Sequence, residues 1–344
     1  MRPGPRFKVV DTQVVCSFQN SILMSKYNEI YGVDISKDVF DVVDSTGLYK
    51  QYPNSLKGFK QFAKDMQDSS LVVMEATGYY HYCLAQYLYG LEEHVSVVNP
   101  LSVKRFIQMR LSKIKTDKSD AKAICEYAQQ NQVPLYTGKD KNQAECLQLL
   151  RLLELYLKQR TQLKNKIHGE QALGIPSQAV YRSLVRSRKA LDKEIKTLEE
   201  RLLSMVKEEN QQQLSNLKSI PGLGDKTAAL LIVLTDGFTK FETASQLCSF
   251  TGTTPTFRQS GSSVRGRSRI SKMGNQKLRN LLFLCAFSAC KYNKACRNIY
   301  ERIVAQGKSK KLALIAVVNK LIKQAFAIAK SGLPYNENYV SKLN

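Results

Sequence analysis

Four carboxylates in this chain stand where divalent-cation chemistry on a phosphodiester would need them. Asp34 interrupts the apolar run Tyr31-Gly-Val-Asp-Ile-Ser36, and Glu75 ends the run Leu71-Val-Val-Met-Glu75. Asp117 and Asp120 lie three apart in Lys115-Thr-Asp-Lys-Ser-Asp-Ala121. A carboxylate inside an apolar strand is costly to bury without a partner. A shared Mg²⁺ or Mn²⁺ would remove that cost, because oxygen donors suit these ions. Two such ions about 3.5–4 Å apart can clamp the attacking and leaving oxygens of a phosphodiester.

The elements that must position these acids follow from periodicity. Strands are expected at 31–36, 39–45, 48–52, 71–75 and 95–98, and helices at 56–67, 79–90, 101–109 and 117–130. Short strands first, then strand–helix alternation, predict a mixed sheet flanked by helices. Residues 71–74 are apolar on both faces and predict a central buried strand. Asp34 alternates with Val33 and Ile35, so it points to the opposite sheet face. Asp117 and Asp120 share one face of a helix. Beyond residue 142 the character changes. Cys146, Leu150, Leu153 and Leu157 recur at helical spacing, as do Leu184, Leu191, Ile195, Leu198, Leu202 and Met205. These seams predict two long helices broken at Gly174-Ile-Pro176, forming an antiparallel hairpin or a dimer-forming coiled coil.

From Lys218 a mostly helical unit is expected, with helices over 276–290, 294–306 and 308–331. It opens on Ile220-Pro-Gly-Leu-Gly-Asp225, a helix-hairpin-helix type of turn. Gly222 and Gly224 permit tight backbone there, and the amides of the next helix start, with Lys226, can hold a phosphate. Between Glu242 and Glu301 there is no acidic residue. That stretch contains Arg258-Gln-Ser-Gly-Ser-Ser-Val-Arg-Gly-Arg-Ser-Arg-Ile-Ser-Lys-Met-Gly-Asn275, in which Arg258, Arg265, Arg267, Arg269, Lys272 and Asn275 are candidate phosphate contacts. A serine hydroxyl beside arginines and a metal can attack phosphorus and form a phosphoseryl intermediate. The residues themselves do not choose among Ser260, Ser262, Ser263, Ser268 and Ser271, nor exclude a loop that only grips phosphate.

The 344 residues carry 52 Lys and Arg against 29 Asp and Glu, a net charge of +23 that suits nucleic acid. Eight cysteines form no C-x-x-C pair, and with three histidines there is no zinc spacing, which excludes a zinc-finger reader. They read as reduced, mostly buried thiols of a cytosolic protein. No apolar run approaches the ~18–20 residues of a membrane span. Residues 1–23 lack the apolar core of a signal peptide. Met24 reads as the natural start, and residues 1–30 as an N-terminal extension.

Together these motifs resemble the DEDD-type insertion-sequence transposases, with the Piv-type DNA invertases as relatives. The resemblance runs from about Tyr31 to Leu333. It rests on Gly32-Val-Asp34, Met74-Glu-Ala-Thr-Gly78, Lys115-Thr-Asp-Lys-Ser-Asp-Ala121, Ile220-Pro-Gly-Leu-Gly224, Gln259-Ser-Gly261 and Ile270-Ser-Lys-Met-Gly-Asn275. It implies an α/β RuvC-like (ribonuclease-H-fold) domain over 31–140. A helical connector over 141–216 and an all-α transposase domain over 217–344 follow. It implies that Asp34, Glu75, Asp117 and Asp120 bind the metal and that Ser260 is the nucleophile linked to DNA. It further implies an element-encoded guide RNA pairing with donor and target DNA, and a dimer or tetramer with composite active sites in the prokaryotic cytoplasm, at the nucleoid. The competing expectations are a RuvC-like nuclease, resolvase or invertase that uses no guide, and a non-catalytic nucleic-acid-binding protein.

Overall fold

The computed structural model describes residues 26–76, 78–110, 116–138, 140–175, 177–256, 259–260, 264–265 and 269–338. The proposed N-terminal extension up to residue 25 lies outside them. The chain divides into two compact units, Met1–Lys139 and Asp140–Asn344.

The first unit is built on a five-stranded sheet. Its strands are β1 (Ile30–Ile35), β2 (Val39–Val43), β3 (Tyr49–Pro53), β4 (Leu71–Glu75) and β5 (His94–Val98), in the order β3-β2-β1-β4-β5. β1 runs antiparallel to β2 and parallel to β4, and β5 is parallel to β4. The meander comes first because Gly47, at φ +91, allows a tight reversal between β2 and β3. Alternation along β1 divides the apolar side chains between the two faces. Tyr31, Val33 and Ile35 pack with Phe40, Phe59, Phe62, Leu84 and Leu88, so α1 (Leu56–Asp65) and α2 (His81–Gly90) cover that side. Ile30 packs instead with Leu71, Val73, Val103 and Ile124, so α3 (Pro100–Met109) and α4 (Asp117–Gln130) cover the other. Leu71 to Met74 are fully buried, as expected of a strand covered on both faces.

The second unit opens with α5 (Lys141–Ala172) and α6 (Gln178–Lys218), of 32 and 41 residues. They pack as an antiparallel hairpin: Arg201 pairs with Glu145 at 3.2 Å, and Arg160 with Asp192 at 3.7 Å. Gly174, at φ +79, ends the first helix. The hairpin shares one hydrophobic cluster with α7 (Asp225–Thr235), α8 (Ala244–Thr251), α9 (Gln276–Tyr292), α10 (Lys294–Ala305) and α11 (Lys310–Ser331). The four short strands between α8 and α9 are β6 (Pro255–Thr256), β7 (Gln259–Ser260), β8 (Val264–Arg265) and β9 (Arg269–Ile270).

The sequence has no unbroken apolar run of membrane-spanning length, Lys320 and Lys323 interrupting the most apolar helix. α11, with 22 residues and a mean hydropathy of 1.7 in its most apolar stretch, is long and apolar enough to cross a membrane. Its Leu314, Val317, Val318, Leu321 and Ile322 are buried in the core of the second unit.

Candidate metal centre and serine ribbon

Asp34 and Glu75 meet because of strand register. Val33 pairs with Met74, so Asp34 and Glu75 stand one step further along neighbouring parallel strands. They have the same parity as Ile30 and Val73, which places both on the α4 side. Helix α4 reaches that face through Gly32. A β-carbon at Gly32 would stand 2.3 Å from both the Ala121 carbonyl and the Cys125 amide. The missing side chain thus lets α4 lie against β1, and the Cys125 thiol donates to the Ile30 carbonyl at 3.3 Å. Burial pushes that thiol up to about 12, so it stays protonated.

The first turn of α4 is fixed by its own sequence. Thr116 is the N-cap, its Oγ1 accepting from the Ser119 amide at 3.1 Å, while the Thr116 amide donates to Ser119 Oγ at 2.7 Å. Threonine and serine in this motif thus form a capping box. Asp117 and Asp120 stand in the turn where the helix dipole favours negative charge.

Burial and neighbouring acids both act on Asp34. Asp34 is raised from its ordinary 3.8 to about 6, first by burial and then by the charges of Asp120, Asp117, Glu75 and Asp41. Among the described residues, no three acidic, histidine or cysteine side chains are close enough to hold a metal as they stand. An all-oxygen donor set around a carboxylate that resists ionisation fits a divalent ion. Asp34, Glu75, Asp117 and Asp120 are the residues that would hold it.

Asp41 is a residue the sequence reading did not single out. It pairs directly with Asp34 across β1 and β2 and is 2% exposed. It accepts from Tyr49 Oη at 2.6 Å and from Gln51 Nε2 at 2.9 Å. Its alternation with Phe40 and Val42 was visible, but the register that sets it opposite Asp34 was not.

Ser260 belongs to the second unit, on a short ribbon. β7 and β8 pair Ser260 with Val264 and Gln259 with Arg265, and β6 and β9 pair Pro255 with Ile270 and Thr256 with Arg269. The base is clamped by backbone. Ser271, Lys272 and Asn275 donate amides to the Thr254, Gly252 and Phe250 carbonyls at 2.9, 3.0 and 2.8 Å. Gly274, at φ +140, lies so close that a β-carbon would stand 2.3 Å from the Phe250 carbonyl. Asn275 caps α9 by accepting from the Leu278 amide. Arg258, Ser262, Ser263, Arg267 and Ser268 lie outside the described residues.

The acid-free stretch is less uniform than its charge suggests. Arg269, Lys272, Lys291 and Lys294 are exposed. Arg279 instead donates to the Thr251 carbonyl at 2.7 Å, and Arg297 to the Cys290 carbonyl at 3.3 Å. Lys277 turns toward an apolar groove lined by Leu150, Leu157, Leu203 and Leu281, where desolvation lowers its pKa against the opposing pull of Glu154 and Glu199. In the helix-hairpin-helix turn, Gly222 is needed for packing, since a β-carbon there would meet Ala289 at 2.8 Å. Gly224 is the N-cap of α7, and Lys226 pairs with Glu199 at 2.6 Å.

A mixed sheet with Asp34 and Glu75 at matching positions of two parallel strands, covered on that face by a helix with Asp117 and Asp120 in its first turn, is an arrangement suited to divalent-cation chemistry. Comparison with known proteins agrees. The DEDD transposase pattern of the IS110 type matches residues 31–171, and the transposase pattern of the IS116/IS110/IS902 family matches residues 214–301. The chain is 30% identical to the pilin gene-inverting protein of Moraxella lacunata over 89% of this chain and 97% of that protein. It is 27% identical to the transposase for insertion sequence element IS1111A of Coxiella burnetii, over 85% of this chain and 87% of that protein. The chain belongs to the IS110/IS116 family of DEDD transposases, enzymes that cleave and rejoin DNA with a general dependence on divalent metal.

Proposed function

We propose that this protein is a site-specific DNA recombinase of a mobile element. Asp34, Glu75, Asp117 and Asp120 bind Mg²⁺ or Mn²⁺, and Ser260 is the nucleophile. When bound, the metal supplies Lewis-acid stabilisation of charge at the scissile phosphate. The Ser260 hydroxyl oxygen bonds to phosphorus, the ester bond to one DNA strand breaks, and the departing strand oxygen takes a proton. After strands exchange, a freed DNA hydroxyl attacks the phosphoserine, restores the diester and returns the proton to serine. Arg265, Arg269 and Lys272 grip backbone phosphates beside the ribbon. Arg258, Arg267 and Asn275, with Gly222, Gly224 and Lys226 of the helix-hairpin-helix turn, extend that contact.

The observation that supports this reading is strand register: Asp34 and Glu75 stand at matching positions of parallel β1 and β4, on the face that α4 covers with Asp117 and Asp120 in its first turn. Partner choice is assigned to an element-encoded guide RNA, as the family resemblance implies, and the basic surplus of the chain fits that assignment. Composite sites in a dimer or tetramer are what the family resemblance implies, and the two long helices of the second unit offer a surface for such assembly. The enzyme acts in the prokaryotic cytoplasm on nucleoid DNA.

The deciding experiment traps a protein–DNA adduct. Wild-type protein forms a denaturant-resistant adduct that Ser260→Ala does not form. A Ser260→Ala variant that exchanges strands at wild-type rate removes the serine role and leaves a water-using nuclease. Recombination of naked DNA by protein free of any transcript removes the guide RNA alone.

A further inference from the structure

Asp41 is buried on the strand position facing Asp34, and among the described residues it accepts from two neutral donors, Tyr49 and Gln51. Burying a carboxylate costs free energy that two neutral hydrogen bonds only partly offset. The Tyr49 hydroxyl bonds Asp41 at 2.6 Å, and the Tyr49 ring lies under the Lys118 ammonium, 5.3 Å from the centroid. Lys118 stands between Asp117 and Asp120 in the first turn of α4. Asp117 is also near enough to raise the Tyr49 hydroxyl, after the larger effect of the Asp41 bond.

We propose that Asp41 is a positioning residue for the acid cluster: through Tyr49 it holds Lys118, and so fixes the helix turn that presents Asp117 and Asp120 to Asp34. This rests on the reading of those four acids as the metal site. The chain of contacts runs from the β2–β3 meander to α4 without passing through the metal ligands. It also directs the Lys118 charge onto an aromatic face. Outer residues of this kind set ligand geometry, and their loss typically weakens metal binding about 10- to 100-fold.

The test uses the full-length, metal-free protein and two readouts. Hydrogen exchange compares the peptide over 116–121 with that over 122–130, and calorimetry follows Mn²⁺ binding. Tyr49→Leu and Lys118→Met are expected to speed exchange in 116–121 several-fold, to leave 122–130 unchanged, and to weaken Mn²⁺ binding about 10-fold. Asp41→Asn is expected to act likewise, and to add nothing further in the Lys118→Met background. Unchanged exchange at 116–121 in Tyr49→Leu and Lys118→Met overturns the proposal, as does full additivity of Asp41→Asn with Lys118→Met. Should Asp41→Asn fail to fold, the two surface variants decide alone. A wild-type protein that binds no Mn²⁺ defeats the metal-site reading, while the exchange comparison still decides whether this contact chain orders the turn.

Discussion

Asp34→Asn should stabilise the metal-free protein at neutral pH while abolishing its activity. Asp34 is raised from 3.8 to about 6, chiefly by burial and then by the acids around it. A shift of about 2 units corresponds to about 3 kcal/mol at most. The side chain keeps partial solvent access, and screening reduces this to roughly 1–2 kcal/mol. The sign follows from proton binding. Between about pH 4 and pH 6 the folded protein holds a proton on Asp34 that the unfolded chain has released, so stability falls as pH rises through that window. Above about pH 6 the penalty is fully present, and asparagine removes it. The assay is urea unfolding of wild type and variant in chelator, at pH 4.5 and pH 7.5, repeated with Mg²⁺. The variant is expected to exceed wild type at pH 7.5, to lose its advantage at pH 4.5, and to gain nothing from Mg²⁺. A variant no more stable than wild type at pH 7.5 without metal refutes the crowding of acids around Asp34.

Further outcomes are expected elsewhere. Gly32→Ala should destabilise the first unit by about 2–4 kcal/mol in chemical unfolding, because the new methyl meets backbone rather than a yielding side chain. Mn²⁺ affinity of the wild type, measured by calorimetry, should fall as pH drops below about 6, where Asp34 takes a proton. Gly274→Ala should cut recombination at least ~10-fold while Mn²⁺ binding is retained, since it disturbs the ribbon base and not the acids. DNA affinity should drop steeply between low and moderate salt, and Arg269→Ala with Lys272→Ala should reduce the salt slope by about 2 in a filter-binding or anisotropy series.

Much of the first unit was legible because its patterns are governed by burial. The run Leu71–Met74 reads as a strand covered on both faces, and the structure buries it completely. Boundaries shift by one or two residues where local geometry intervenes. α2 begins at His81 rather than 79, after Gly78 adopts φ +59. The Thr116–Asp120 turn was readable as a helix start, yet the capping partners that give its threonine and serine their work appear only with coordinates. Asp41 was hidden because strand register is a long-range property. The charge run from Arg258 to Arg297 could be counted but not sorted. Whether an arginine meets solvent or, like Arg279, a carbonyl of its own chain depends on packing that composition does not record.

The base of the serine ribbon is held by main-chain amides and carbonyls of 250–254 and 271–275, and by Gly274, which has no room for a side chain. Anchorage of this kind is indifferent to most side-chain identity. Side-chain changes at most positions of these two segments therefore leave the backbone bonds of the platform intact. Gly274 is an exception, a position where any side chain would displace the anchor itself.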